Sequence, residues 1–173
     1  PGKYTAGLLQ EQIGFCSDDE DAVSMALTVT RKLLAQLAAL GIDRSQIGRL
    51  EVGTESLLDR SKSVKTHLMQ LFDHHEICGV DTYNACYGGT AALFNALDWV
   101  NSAPSASPYA IVVCVDIADL NSEQAFLNGA SAVAMLVGRQ APLEILPERS
   151  HHFENTWDFY KPVGWADPFP LMR

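Results

Sequence analysis

The chain has 173 residues, 47% of them hydrophobic and 19% charged, with a formal net charge of −9 and a pI near 4.8. That length allows a proper core, and the composition excludes a disordered chain. The acidity argues against a nucleic-acid partner, because nothing in it neutralises a phosphate backbone.

No apolar run reaches the roughly 20 residues that span a bilayer, and no charged-then-apolar leader pattern is visible. A cytoplasmic location is expected, with the mitochondrial matrix left open. An anionic ligand stays compatible with a local basic patch, for which Lys3, Arg60, Lys62, Lys65 and Lys161 are candidates; the alternative is ordinary solvated charge. Cys16, Cys78, Cys86 and Cys114 are widely and irregularly spaced, which suits free thiols in a reducing compartment.

In chain order, FCSDDEDAVSMALTVTRKLLAQLAALG predicts a helix of about six turns. Ser17 and Glu20 read as its capping box, Leu27, Leu33, Leu34, Leu37 and Leu40 recur at helical spacing, and Gly41 stops it. Ile47 to Val52 reads as a short strand running into a Gly53-Thr54 loop, and SKSVKTHLMQLF as a second helix. EICGVDT, residues 76 to 82, reads as another strand, followed at once by a helix from Cys86 to about Val100. YAIVVCVD is a continuous apolar run that fits a strand buried on both faces, and SAVAMLVG and PLEIL read as two more strands. Strands alternating with helices predict an α/β fold with a mostly parallel sheet. With no linker and no internal repeat, residues 1–173 are taken as one domain.

Two residues follow a predicted strand and precede a helix: Cys86 and Glu55. Ligands sit at the carboxyl ends of strands in open α/β sheets. A thiol at a helix start meets the positive end of the dipole, and free N–H groups of the first turn suit an oxyanion. Gly88 and Gly89 are then read as letting a substrate approach the backbone. On position alone a second reading stands beside this one, in which Cys86 is a small buried residue packing the helix on the sheet. Glu55 has the same two faces: general acid/base, or an acid in a loop before a helix. Asp59 and Asp116 are open in the same way. Cys114 lies in an apolar strand and reads as core. His74, His75, Cys78 and Cys86 fit none of the usual paired zinc spacings, and His151 and His152 read as a solvated pair.

RLEVGTESLLDRSKSVKTHLMQLF (49–72), GVDTYNACYGGTAALFNALDWV (79–100), WDFYKP (157–162) and the opening GKYTAGLLQEQIGFCSDDED closely resemble eukaryotic-type hydroxymethylglutaryl-CoA synthase. The resemblance implies a thiolase-like fold, of which this chain is an N-terminal βαβ half, and an assembly as dimers. It implies condensation of acetyl-CoA with acetoacetyl-CoA, with no metal and no cofactor. Through NACYGG it makes Cys86 the nucleophile that becomes acetylated. Through EVGTE it makes Glu55 the general acid/base. Tyr87, Asp59 in LLDRSK and Asp116 in VDIA match supporting residues.

Departures from the family pattern set further expectations. No His-Ser-Pro segment, the context of the family's catalytic histidine, is present, and the family's first strand is expected to lie ahead of Pro1. Where the family shows a run like GNARPTGGAGA, this chain has SEQAFLNGASA, with Gln124 at the place of a substrate-binding Asn and Leu127 near an expected Thr. The 173-residue chain alone is therefore expected to lack the full condensation. A competing expectation is a non-catalytic relative that serves as an association module.

Overall fold

The computed structural model describes residues 2–7, 9–118 and 128–156, and its first long helix begins where Asp21 dictates. Helix α1 spans Ala22–Ala39. The Asp21 carboxylate accepts from the Ser24 N–H at 2.7 Å, and the Ser24 hydroxyl accepts from the Asp21 N–H at 2.9 Å. This reciprocal pair corrects the expected box at Ser17. Ser17 does donate its N–H to Glu20 at 2.8 Å, but the two close a turn ahead of the helix. Gly41 ends the helix as expected, at φ +77, where a side chain is costly.

Strand β1 (Ile47–Gly53) leads to a short helix α2 (Val64–Leu68) that tightens into a 3₁₀ turn at Met69–Leu71. Ser63 caps α2, and the Asp81 carboxylate accepts from the Val64 and Lys65 N–H groups at 2.6 and 2.9 Å. Strand β2 is only Asp81–Thr82, shorter than the expected 76–82. The reason is Gly79, at φ +129 and pressed so close to β1 that a Cβ there would lie 1.8 Å from the Leu50 carbonyl oxygen. The backbone still tracks β1, with Leu50 N–H on Cys78 O at 2.9 Å and Val52 N–H on Val80 O at 3.1 Å. Helix α3 is Gly88–Val100, and strands β3 (Tyr109–Ala118) and β4 (Gly129–Val137) follow. PLEIL is not a strand. Pro142 cannot donate to a ladder, and Leu143, Ile145 and Leu146 are exposed.

The sheet order is β2-β1-β3-β4. β1 pairs parallel with β2 and β3, whereas β4 runs antiparallel to β3, from Ala110 opposite Val137 to Ala118 opposite Gly129. Alternation along β3 builds both faces of the core. Ile111, Val113 and Val115 pack with Leu50, Val52, Ala26, Leu37 and Leu68 on the α1 and α2 side. Ala110 and Val112 pack beneath Ala92, Ala96 and Val100 of α3. Small residues on both surfaces let α3 sit close to the sheet.

Among the described residues one charged side chain lies inside this packing. Glu51 is fully buried on β1 and bonds Arg49 through two guanidinium nitrogens, each at 2.7 Å, and the Asn95 amide of α3 at 3.3 Å. No helix among the described residues is long and apolar enough to cross a membrane.

Candidate active site

Because β1, β2 and β3 run parallel, their carboxyl ends open on the same edge of the sheet, and two loops meet there. The first is Thr54-Glu55-Ser56. Its backbone is held by Asp116, near the end of β3. Asp116 Oδ1 accepts from the Glu55 N–H at 2.7 Å, the Ser56 hydroxyl at 3.1 Å and the Thr54 hydroxyl at 3.2 Å. The Ser56 hydroxyl also accepts the Ile117 N–H at 2.9 Å, and Ser56 N–H reaches Thr54 Oγ1 at 3.0 Å. Thr54 and Ser56 are buried, and Glu55 between them is half-buried. A carboxylate that accepts three bonds at one oxygen thus fixes the main chain on either side of Glu55. These two hydroxyls are what sequence reasoning missed. The signal was a hydroxyl residue on each side of Glu55, together with an aspartate ending a buried strand.

The second loop carries Cys86. It was expected to open the helix, but α3 starts two residues later, at Gly88. Asn84 to Tyr87 forms a turn instead, with Tyr87 N–H on Asn84 O at 3.0 Å and Gly88 N–H on Ala85 O at 3.2 Å. Ala85 stands at φ +41, the left-handed region that an L-residue adopts at a cost. This turn leaves the Cys86 thiol exposed rather than packed, which removes the core-packing reading. Past it, the N–H groups of Gly89 and Thr90 have no hydrogen-bond acceptor among the described residues, as expected for the open first turn of a helix.

The glycines bring the two loops together. A Cβ on Gly53 would stand 2.4 Å from the Gly89 nitrogen and 2.5 Å from its Cα. A Cβ on Gly88 would stand 2.8 Å from Thr82 O, and one on Gly89 2.8 Å from the Cys114 sulfur. Gly88 and Gly89 therefore serve close docking of α3 on the strand ends, a role in packing that the sequence did not suggest. Cys114 is half-buried in this contact, and burial together with Asp116 pushes its thiol pKa up.

Other predicted residues stand apart. Asp59 is exposed, and its carboxylate accepts from the Lys62 and Ser61 N–H groups at 2.9 and 2.7 Å and the Ser61 hydroxyl at 2.8 Å. Those bonds hold its pKa down at about 2 and tie it to its own loop, with no bond to Glu55, Cys86 or Asp116 among them. Tyr87 is half-buried and meets the Phe153 ring edge-on at 5.1 Å. Gln124, Leu127, Lys161 and the 157–162 segment lie outside the described residues. Lys65 donates from its ammonium to Ile77 O at 2.7 Å. His152 pairs with Glu154 at 2.8 Å, and His151 lies edge-on to Phe94. Among the described residues no three His, Cys, Asp or Glu side chains converge as metal ligands. A cleft of about 580 Å³ beside Phe15, Cys16, Leu58 and Ile117 is not lined by Cys86 or Glu55. Its thiol, Cys16, has its pKa raised by burial and by Glu20 and Asp21.

A family described as hydroxymethylglutaryl-coenzyme A synthase N terminal matches residues 1–142. The chain belongs to the hydroxymethylglutaryl-CoA synthase family. It is 54% identical over 173 residues to hydroxymethylglutaryl-CoA synthase erg13A of Aspergillus fumigatus, covering 99% of this chain and 36% of that protein. It is 49% identical to the mitochondrial hydroxymethylglutaryl-CoA synthase of Homo sapiens, with 99% and 34% covered. The cytoplasmic hydroxymethylglutaryl-CoA synthase of Gallus gallus matches as well, at 52% identity. Among solved structures, MvaS in complex with 3-hydroxy-3-methylglutaryl coenzyme A superposes with a TM-score of 0.78 at 38% identity, over 95% of this chain and 40% of that one. The fold is thus the α/β thiolase-like fold of hydroxymethylglutaryl-CoA synthases, and the family is one of acyltransferases. The chain spans about a third of the length of the curated relatives it matches.

Proposed function

We propose that this chain supplies the acetyl-accepting and proton-abstracting part of a hydroxymethylglutaryl-CoA synthase, acting on acetyl-CoA and then acetoacetyl-CoA. The observation that carries the reading is the meeting of the Glu55 loop and the Cys86 turn at one sheet edge, closed by the contact of Gly53 with Gly89. The exposed Cys86 thiol gives up its proton to solvent as its sulfur attacks the acetyl carbonyl, the oxyanion takes hydrogen bonds from the open first turn of α3, and coenzyme A leaves as a thiolate that regains a proton from solvent. The product is acetyl-Cys86.

Glu55 then removes a methyl proton from the acetyl thioester, and the resulting carbanion attacks the ketone carbon of acetoacetyl-CoA. Protonation of the new alkoxide and hydrolysis of the Cys86 thioester release product and free thiol. Asp116, Thr54 and Ser56 position Glu55, and Tyr87 flanks the nucleophile. Thioester exchange and carboxylate proton transfer need no redox centre, and the reading assigns none. Asp59 enters only as a support of the loop that follows Glu55. The His-Ser-Pro segment is absent from these 173 residues, so the chain alone is read as stopping at the acetylated and enolised stages.

The test is mass spectrometry of the chain after incubation with acetyl-CoA. One acetyl group on the Cys86 peptide is expected, lost in Cys86→Ala. Glu55→Gln should keep the acetyl group but slow exchange of its methyl protons into heavy water by about a hundredfold or more. A chain that never acquires the group would sink the catalytic reading and leave an association module.

A further inference from the structure

Residues 138–156, after β4, form no helix or strand, yet the stretch 149–153 is laid along α3 in register. Arg149 Nη2 donates to Asp98 Oδ1 at 3.2 Å, and its guanidinium carbon stands 4.4 Å from the centre of the Phe94 ring. His151 meets the same Phe94 ring edge-on at 6.3 Å. Phe153 meets Tyr87 edge-on at 5.1 Å, with ring planes at 89°. Asp98, Phe94 and Tyr87 are spaced four and seven residues apart, one stripe on the outer face of α3. The partners 149, 151 and 153 advance in the opposite direction. The chain therefore runs antiparallel to the helix and delivers Phe153 to the residue after Cys86.

The geometry points to residues 149–153 as a strap that holds the Tyr87 ring beside the nucleophile, with Phe153 as a positioning residue for acyl transfer. The inference rests on the reading of Cys86 as the acetyl acceptor. Tyr87 sits at the helix start without a side-chain capping bond, so its backbone leaves the ring's direction to ring contacts. Phe153 is 67% exposed, so little core packing explains its place. An edge-to-face pair at this separation is attractive through the ring quadrupoles and restricts both rings. Arg149, lying over Phe94 and bonded to Asp98, anchors the other end of the strap.

The experiment uses the whole 173-residue chain and three variants, Phe153→Leu, Phe153→Tyr and Arg149→Ala. Ring signals of Tyr87, assigned with Tyr87→Phe, are followed by NMR. Acetylation of Cys86 by acetyl-CoA and its alkylation by iodoacetamide are timed in parallel. Phe153→Leu is expected to shift and sharpen the Tyr87 ring signals. It should slow acetylation by roughly two- to tenfold, the worth of one aromatic pair, with alkylation and the thermal midpoint unchanged. Phe153→Tyr should restore the wild-type values, and Arg149→Ala should act in the same direction as Phe153→Leu. Unchanged Tyr87 signals in Phe153→Leu would overturn the contact. Altered signals with unchanged acetylation would overturn the positioning role, as would a parallel fall in both reactions and in the thermal midpoint. If the wild-type chain is not acetylated, the catalytic reading fails separately, and the strap is judged by the Tyr87 signals alone.

Discussion

The backbone N–H of Glu55 donates to the carboxylate of Asp116 across 2.7 Å, joining the end of β1 to the end of β3 at the point where the candidate acid/base projects. Because the same oxygen also takes the Thr54 and Ser56 hydroxyls, one side chain organises three consecutive residues. Asp116→Ala is expected to lower stability by about 2–3 kcal/mol, since it leaves a buried hydroxyl and a backbone donor unmatched. Ser56→Ala, which strips the Ile117 N–H of its acceptor, should cost about 1–2 kcal/mol. Ser56→Thr, which keeps the hydroxyl, should lose less than Ser56→Ala. Urea unfolding checks the ranking, and methyl-proton exchange of the acetylated chain checks that Glu55 is displaced. Equal stability of Asp116→Ala and wild type would mean that this network does not hold the loop.

Gly53→Ala tests the docking of α3. Its new methyl group would lie 2.4 Å from the Gly89 nitrogen, with backbone rather than a flexible side chain in the way. Overpacking of this kind costs about 1–3 kcal/mol or more. The variant is expected to unfold at lower denaturant and to show changed amide shifts through the first turn of α3. A variant as stable as the parent, with unmoved shifts at Gly88 and Gly89, would show that the helix start has room.

Arg49→Leu removes the partner of a fully buried carboxylate. Among the described residues Glu51 then keeps the longer bond to Asn95, so the loss is expected to be about 3 kcal/mol. The double change Arg49→Leu, Glu51→Leu should recover much of it, because apolar residues of similar size replace a buried ion pair at little cost. Chemical denaturation of the single and double variants decides this. A double variant as unstable as the single one would assign the loss to packing of the Arg49 stem instead.

Asp59 sets a pH response. Its folded pKa, held down at about 2 by the Lys62 and Ser61 N–H groups and the Ser61 hydroxyl, lies below the usual carboxylate value near 4. A depressed pKa means that the stabilisation is present above the unfolded value and is lost as pH falls through the folded one. The Ser61 and Lys62 amide shifts are therefore expected to hold steady down to about pH 3 and to move together near pH 2. An Asp59 carboxyl signal titrating near 4 would contradict the loop geometry.

The legible parts of the sequence were those set by local rules. YAIVVCVD became β3 because a run apolar on both faces suits only a strand covered on both sides. Gly41 ended α1 because a left-handed residue costs glycine nothing. Helix starts were misread at both α1 and α3. Ser17-Glu20 and Asp21-Ser24 are each plausible caps, and the choice depends on where the helix meets the sheet. At α3, the turn at Ala85 is a backbone conformation that alanine does not advertise.

Chemistry divided in the same way. The order of strand, loop and helix put Cys86 and Glu55 at strand ends, which left each with two readings, and the family resemblance of their flanking residues made them the candidates. Their surroundings belong to the tertiary structure. Asp116 lies 61 residues from Glu55, Phe153 lies 66 residues beyond Tyr87 and Gly89 lies 36 beyond Gly53, and no local pattern carries those distances. Residue type and chain order were enough to say which side chains could do chemistry. Only the folded sheet, by aligning the ends of β1, β2 and β3 and seating α3 against them, decided that the glycines serve packing, that Asp116 holds the Glu55 loop, and that Asp59 keeps to its own turn.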